Sequence, residues 1–136
     1  MSRRRWLIGG IAGVVLLAGI AGLYILLRLR AYEQKIDDAI FSGIGPGDVR
    51  DGVYRGEYDA DFIAARAEVT IREGKLEKVR LLEYRHGRGE AALPILEEMA
   101  RRQRLDVDAV TGATNSCIVI RKAVELALES APPRNP

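Results

Sequence analysis

The spacing of hydrophobic residues changes twice along this chain, and each spacing predicts a different kind of element. From Trp6 to Leu27 the apolar run is continuous, with no charged residue and no proline. As a helix it spans roughly 33 Å, which matches a bilayer core that needs about 20 apolar residues. A cleaved signal sequence is the alternative, but its apolar core is about 7 to 15 residues and ends at small residues. This run ends in Tyr24-Ile25-Leu26-Leu27-Arg28, so residues 1–30 read as an uncleaved, single-pass membrane anchor. Tyr32, Ile36, Ala39 and Ile40 then recur at helical spacing, which prolongs the helix beyond lipid. Ser42-Gly43-Ile44-Gly45-Pro46-Gly47 breaks it. Residues 31–47 are therefore expected to be a helical extension and linker, with a folded domain over 48–130.

Beyond the linker the pattern shortens to that of strands. Asp51 to Tyr58 carries aromatic and β-branched residues at alternate positions. Phe62 to Arg72 (FIAARAEVTIR) alternates imperfectly, with Ala65, Glu68 and Thr70 expected on one face. Glu73-Gly74-Lys75 is a hairpin signal, and Leu76 to Tyr84 follows with Leu76, Val79 and Leu81 apolar. After a glycine-bearing loop, Arg85 to Gly89, the spacing becomes helical. Ala91, Ala92, Ile95, Leu96 and Met99 make one face and Glu97, Glu98, Arg101 and Arg102 another, with Pro94 in the first turn. Leu105 to Val110 reads as an extended crossing. A last helix is expected from about Ser116 to Leu128, with Ile120, Ala123, Val124 and Ala127 inward, and 131–136 as a disordered tail. The fold class is α+β: an N-terminal transmembrane helix, then a small domain of antiparallel sheet packed with two helices.

Charge refines the first reading. Arg3, Arg4, Arg5, Arg28 and Arg30 flank the apolar run, whereas every acidic residue lies beyond Arg30. The net charge of +2 thus belongs to the membrane flanks and the remainder is mildly acidic. No basic face with interleaved aromatics is present, which argues against a nucleic-acid partner. Weighing Arg3, Arg4, Arg5 and the terminal amine against Arg28, Arg30 and Lys35 leaves the amino terminus inside and the domain on the extracytoplasmic side. Cys117 is the single cysteine, so no intrachain disulfide and no cysteine-based metal cluster can form, and no metal site is expected.

The chemistry concentrates in Asp106-Val107-Asp108-Ala109-Val110-Thr111-Gly112-Ala113-Thr114-Asn115-Ser116. Gly112 and the small residues let a ligand approach the backbone. Hydroxyl side chains cluster just before a helix, whose unpaired N–H groups and positive dipole end favour a phosphate. An ordinary helix cap, with Thr114, Asn115 or Ser116 as the cap residue, explains the same composition.

The stretch from Asp51 to Leu128 resembles the FMN-binding domain family, which includes the flavin subunits of the sodium-pumping NADH:quinone reductase and of the Rnf complex. Asp51-Gly52-Val53-Tyr54-Arg55-Gly56 looks like the family's opening, DG-x-Y-x-G, and Arg72-Glu73-Gly74-Lys75-Leu76 like its DGKI-type hairpin. His86-Gly87-Arg88-Gly89-Glu90 resembles a loop of its small members, and Asp108 to Thr114 matches its flavinylation pattern D-x-x-[ST]-G-A-[ST]. The resemblance implies FMN as cofactor, attached by a flavin transferase that uses FAD and Mg²⁺ to form a phosphoester on the last hydroxyl of the pattern, here Thr114. It implies that Asp108 serves recognition or loop geometry and that Thr111 hydrogen-bonds within the loop. Gly112, Ala113, Asn115 and Ser116 complete the expected site, with His86 beside it. Cys117 stands where the family often has a second serine after the acceptor. Thr111 and Ser116 remain rival acceptors.

Several residues have plainer readings. His86 also fits a solvent-facing loop, Cys117 fits core packing as well as a lowered thiol pKa, and Trp6 and Tyr24 fit the membrane interface. Tyr54 and Tyr58 fit the sheet. The implied role is a membrane-tethered electron carrier whose partners are the transferase, membrane redox proteins and the bilayer. A non-catalytic accessory module that holds flavin weakly is the alternative. One histidine and one cysteine far apart offer no nucleophile–base pair for a hydrolase.

Overall fold

Helix α1 runs over Ser2–Asp37. The computed structural model describes residues 2–39, 41–85 and 89–135. The chain falls into two compact units, Met1–Gln34 and Lys35–Pro136. In the first, the apolar side chains of α1 are exposed around its whole circumference, from Trp6 and Ile8 to Leu26. A helix that is apolar all round needs an apolar surrounding. Its apolar stretch has a mean hydropathy of 2.4 over 18 residues, and α1 is long and apolar enough to cross a membrane. Near its end Arg28 Nη1 donates to the Tyr24 hydroxyl at 2.9 Å, a pair suited to the lipid–water boundary.

The second unit is built on a three-stranded antiparallel sheet, β1 (Gly52–Asp59), β2 (Ala64–Arg72) and β3 (Lys75–Arg85), in the order β1-β2-β3. Strand β2 alternates strictly. Ala65, Ala67, Val69 and Ile71 are buried, and Arg66, Glu68 and Thr70 line the other face. This corrects the imperfect alternation expected for the segment: Ala65, Val69 and Ile71 share one parity, and a strand sends residues of one parity to one face. On the outer face Glu68 pairs with Arg55 and Arg80 at 2.9 and 2.7 Å, and Arg66 with Glu57 and Glu83 at 2.9 and 2.8 Å. The two guanidiniums hold the Glu68 carboxyl below the usual range. Exposed pairs of this kind are worth only about 0–1 kcal/mol each, so they fix register more than stability. Glu73 and Gly74 make the β2–β3 turn with φ of 53° and 72°, the left-handed pair that matches strand twist in a two-residue hairpin.

A 3₁₀ turn (Gly89–Ala92) precedes helix α2 (Pro94–Arg102), and α3 (Thr114–Glu129) closes the domain. Ala91 and Ala92 thus belong to the 3₁₀ turn, because Pro94 begins the α-helix proper. Helix α2 packs on β3, and α3 lies across β1 and β2. Gln103, at φ 56°, ends α2. Its side-chain amide accepts from Leu76 N–H at 2.7 Å and donates to Leu76 C=O at 2.8 Å, so it pairs with the start of β3 as a strand would. Met99, Leu76, Val69, Ile120, Val124 and Leu128 form the core. Gly56 lets α3 approach the sheet: a Cβ there would stand 2.2 Å from Ala123 O and 2.3 Å from Ala127 N.

Two boundary segments differ from expectation. Residues from Lys35 onward, expected as extension and linker, join the domain: Ser42 N–H donates to Glu125 Oε2 at 3.0 Å, and the Phe41 ring lies 4.4 Å from the Arg121 guanidinium. Glu125 is buried, and Lys122 Nζ at 2.7 Å compensates its charge. The expected disordered tail is instead paired as far as it is described. Arg50 N–H donates to Pro132 O at 3.0 Å, Arg134 N–H donates to Asp48 O at 2.9 Å, and Val49 bridges Pro133. The prolines lack N–H groups but their carbonyls accept.

Candidate functional site

After a bend at Leu105 the chain makes a tight turn, with Val107 N–H donating to Leu105 O at 2.9 Å; Leu105 and Val107 are buried, while Asp106 and Asp108 are exposed. Asp108 is 96% exposed, with the Arg102 guanidinium 4.0 Å away, and Asp106 pairs with Arg121 at 3.1 Å. The chain then turns through Thr111 and Gly112, closed by a main-chain bond from Ala113 N–H to Val110 O at 3.0 Å. Gly112 has φ +83°, as the third position of such a turn requires. Thr111 stands exposed at the corner, and the bond that closes the turn is between backbone groups. Val110 N–H also reaches the buried Cys117 Sγ at 3.4 Å.

Helix α3 begins at once. Its first bond runs from Cys117 N–H to Ala113 O at 2.9 Å, which makes Ala113 the cap residue. Alanine has no side-chain acceptor, its φ/ψ of −131°/26° is not extended, and it makes no side-chain cap bond. The cap reading of Thr114, Asn115 or Ser116 is therefore overturned: all three lie inside the first turn. The helix start, with its partial positive charge of about half a unit, is left without a side-chain oxygen of its own cap. Thr114 and Asn115 are exposed on this turn, while Ser116 is only 5% exposed.

Behind the turn stands Tyr84, at the end of β3, which sequence reasoning placed in a strand without a role. Its hydroxyl donates to Gly89 O at 2.8 Å. Burial pushes the phenol's pKa up, opposed by a hydrogen bond with the Ser116 side chain. The available signal was positional: an aromatic residue just before the glycine loop. His86, expected beside the site, lies outside the described residues. Among the described residues no group of three or more His, Cys, Asp or Glu is placed to hold a metal ion.

A cavity of about 140 Å³ lies elsewhere, between Phe41, Ile44, Leu105, Arg121 and Glu125. It is well below the roughly 300 Å³ at which small-molecule pockets begin. The loop at α3 is by contrast an open surface cradle, reachable by large partners. A glycine turn, an uncapped helix start and an exposed hydroxyl together fit a phosphate-bearing ligand. Residues 64–129 match the family model of the FMN-binding domain; the domain belongs to that family, and FMN is its cofactor. No curated protein and no solved structure matches the chain. With α1, the chain is an FMN-binding protein carrying a helix fit to anchor it in a membrane.

Proposed function

We propose that the chain is a membrane-tethered electron carrier in which FMN is esterified to Thr114. The observation that carries this reading is the start of α3: an alanine cap without a side-chain acceptor, followed directly by an exposed threonine. Backbone amides of the first turn would hold the phosphate, and Gly112 keeps the approach clear, since among the described residues nothing beyond its chain neighbours lies within 4 Å of where its Cβ would be. Asp108, almost fully exposed, suits recognition by the attaching enzyme better than shaping of the loop. Of the rival acceptors, Ser116 is buried, whereas Thr111 is exposed but precedes the helix.

In the attachment step the Thr114 hydroxyl oxygen bonds to the FMN-side phosphorus of FAD. The pyrophosphate bond breaks, AMP leaves, and the hydroxyl proton passes to solvent or to the transferase. The bound flavin supplies one- or two-electron chemistry. The chain's own part is to orient it and to keep it near the bilayer. The argument for the extracytoplasmic side is the charge balance around α1, and the redox partners are then other membrane proteins.

Intact-mass analysis of the full chain made with a flavin transferase tests this. The expected adduct is one FMN, lost in Thr114→Ala and retained in Thr111→Ala and Ser116→Ala. An adduct on Thr114→Ala, or flavin released by acid from the wild type, overturns the ester.

A further inference from the structure

Arg121 touches two segments that are far apart in the chain. It sits on α3, its side chain is 17% exposed, and its guanidinium carbon lies 4.4 Å from the centroid of the Phe41 ring. Nη2 of the same guanidinium donates to Asp106 Oδ1 at 3.1 Å. Phe41 opens the strap Phe41–Gly45, which Glu125 holds to α3 by accepting from the Ser42 N–H at 3.0 Å. Asp106 belongs to the segment that leads, through Asp108 and the Thr111–Gly112 turn, to the start of α3 at Thr114. Strap and segment do not close on each other. Phe41 and Ile44 on one side and Leu105 and Asp106 on the other line the cavity of about 140 Å³, together with Arg121 and Glu125. The guanidinium therefore spans what packing leaves open. Its Nε is buried and has no hydrogen-bond partner among the described residues. A cation so placed gains from the negative face of an aromatic ring, and that contact is strongest away from water. Asp106 is 88% exposed. Such a carboxylate pairs weakly with a mobile cation, because both side chains must be ordered. Here the ring has already ordered one of them.

We propose that Arg121 is a positioning residue of the flavin site, which carries the docking of the strap to the segment that leads into the loop before α3. This role rests on the reading above that FMN is held at the first turn of α3. With Phe41 in place the guanidinium is fixed and Asp106 has a set partner. With the ring gone, water reaches Nε, the side chain gains rotamers, and the open space beside Leu105 lets the segment shift. The presentation of Thr114 then depends on a contact made by the strap. An arginine that served stability alone would lower the thermal midpoint when replaced and leave the loop as it is.

The test uses the full chain, with and without flavin transferase, as wild type, Phe41→Leu, Phe41→Tyr, Arg121→Met and the double variant of Phe41→Leu with Arg121→Met. Asp51→Asn serves as the control for stability. Measured are the rate of FMN attachment by intact mass, hydrogen exchange at the Val107 and Ala113 amides without flavin, and the thermal midpoint. Phe41→Leu and Arg121→Met should each slow attachment and speed exchange at both amides about fivefold, the size of one lost cation–aromatic contact. The double variant should change them no further than Arg121→Met alone. Phe41→Tyr keeps the ring and should match the wild type. Asp51→Asn should keep the wild-type attachment rate despite a lower midpoint. A Phe41→Leu protein with a lowered midpoint but wild-type attachment and exchange overturns the proposal. So do additive effects in the double variant, a Phe41→Tyr protein that behaves as Phe41→Leu, or attachment slowed as much in Asp51→Asn. If Arg121→Met does not fold, wild-type values in Phe41→Leu are enough to overturn it. A wild type without adduct sinks the ester separately; exchange at Val107 and Ala113 then decides, and wild-type rates in Phe41→Leu overturn the coupling of strap and segment.

Discussion

The two ends of α3 follow opposite rules. Toward its C-terminus, Ala123 and Ala127 press on β1 so closely that only a glycine fits at position 56. At its N-terminus the helix is left open: Thr114 and Asn115 are exposed, the cap is an alanine, and nothing crowds Gly112. One end is fully committed to holding the domain together. The other leaves its helix start without a cap side chain, a stabilisation worth about 1 kcal/mol where a good cap residue is present. On the proposed reading, a phosphate takes the amides that a capping side chain would occupy, so that function and stability would be separated along a single helix.

Thr114→Ala is expected to have the largest effect on function and almost none on folding. The FMN adduct should vanish while the urea midpoint corresponds to a change within about 0.5 kcal/mol, as for exposed positions generally. Gly56→Ala should do the reverse. Its methyl meets backbone atoms of α3, which cannot rotate away, so a loss of about 3 kcal/mol or more in urea unfolding is expected, at the upper end for overpacking. A Gly56→Ala protein as stable as wild type would show that α3 can lift from β1, and the contrast between the two ends would fail.

Gly112→Ala sharpens the comparison at lower amplitude. Its demand is conformational, from φ +83°, and not spatial. The expected cost is about 1–2 kcal/mol. Asparagine should be tolerated better than alanine there, whereas at Gly56 the cost should rise with side-chain size. Urea midpoints of the two series separate a strained turn from a steric contact.

The packed end was legible in the sequence and the open end only half so. Ile120, Ala123, Val124 and Ala127 show the inner face of α3 by spacing alone, and all four are buried. The hairpin at Glu73-Gly74 carries its turn chemistry in its own residues. At the open end, composition favoured a cap among Thr114, Asn115 and Ser116, whereas the cap residue is Ala113. Which residue caps a helix depends on where its first hydrogen bond falls, and the composition of the segment does not fix that position. The roles of Gln103 and Glu125 were hidden for a different reason. Each makes its decisive bond to a residue far away in sequence: Gln103 to Leu76 and Glu125 to Ser42. No local pattern encodes such pairs.

Acid should loosen the packed side of the domain first, and Asp51 is the group that reports it. Its carboxylate accepts from the Glu73 and Gly74 N–H groups at 2.6 and 3.1 Å and pairs with Arg134, so it ties the hairpin to the segment that follows α3. The two backbone bonds, with help from Arg134, hold its pKa below the ordinary carboxylate value. The ionised form is therefore favoured in the folded state. Its contribution is complete above the ordinary aspartate pKa of about 3.9 and disappears as pH falls through the lower folded value. Asp59, Glu68 and Glu98 are shifted the same way and add to the acid slope. Asp51→Asn should lower the urea midpoint modestly at pH 7 and flatten its decline below about pH 4, while FMN attachment at Thr114 stays as in wild type. In hydrogen exchange the Glu73 and Gly74 amides should lose protection on acidification before those of the α3 interior. Equal acid slopes for Asp51→Asn and wild type would mean that the hairpin clamp does not bear on the stability of the packed end.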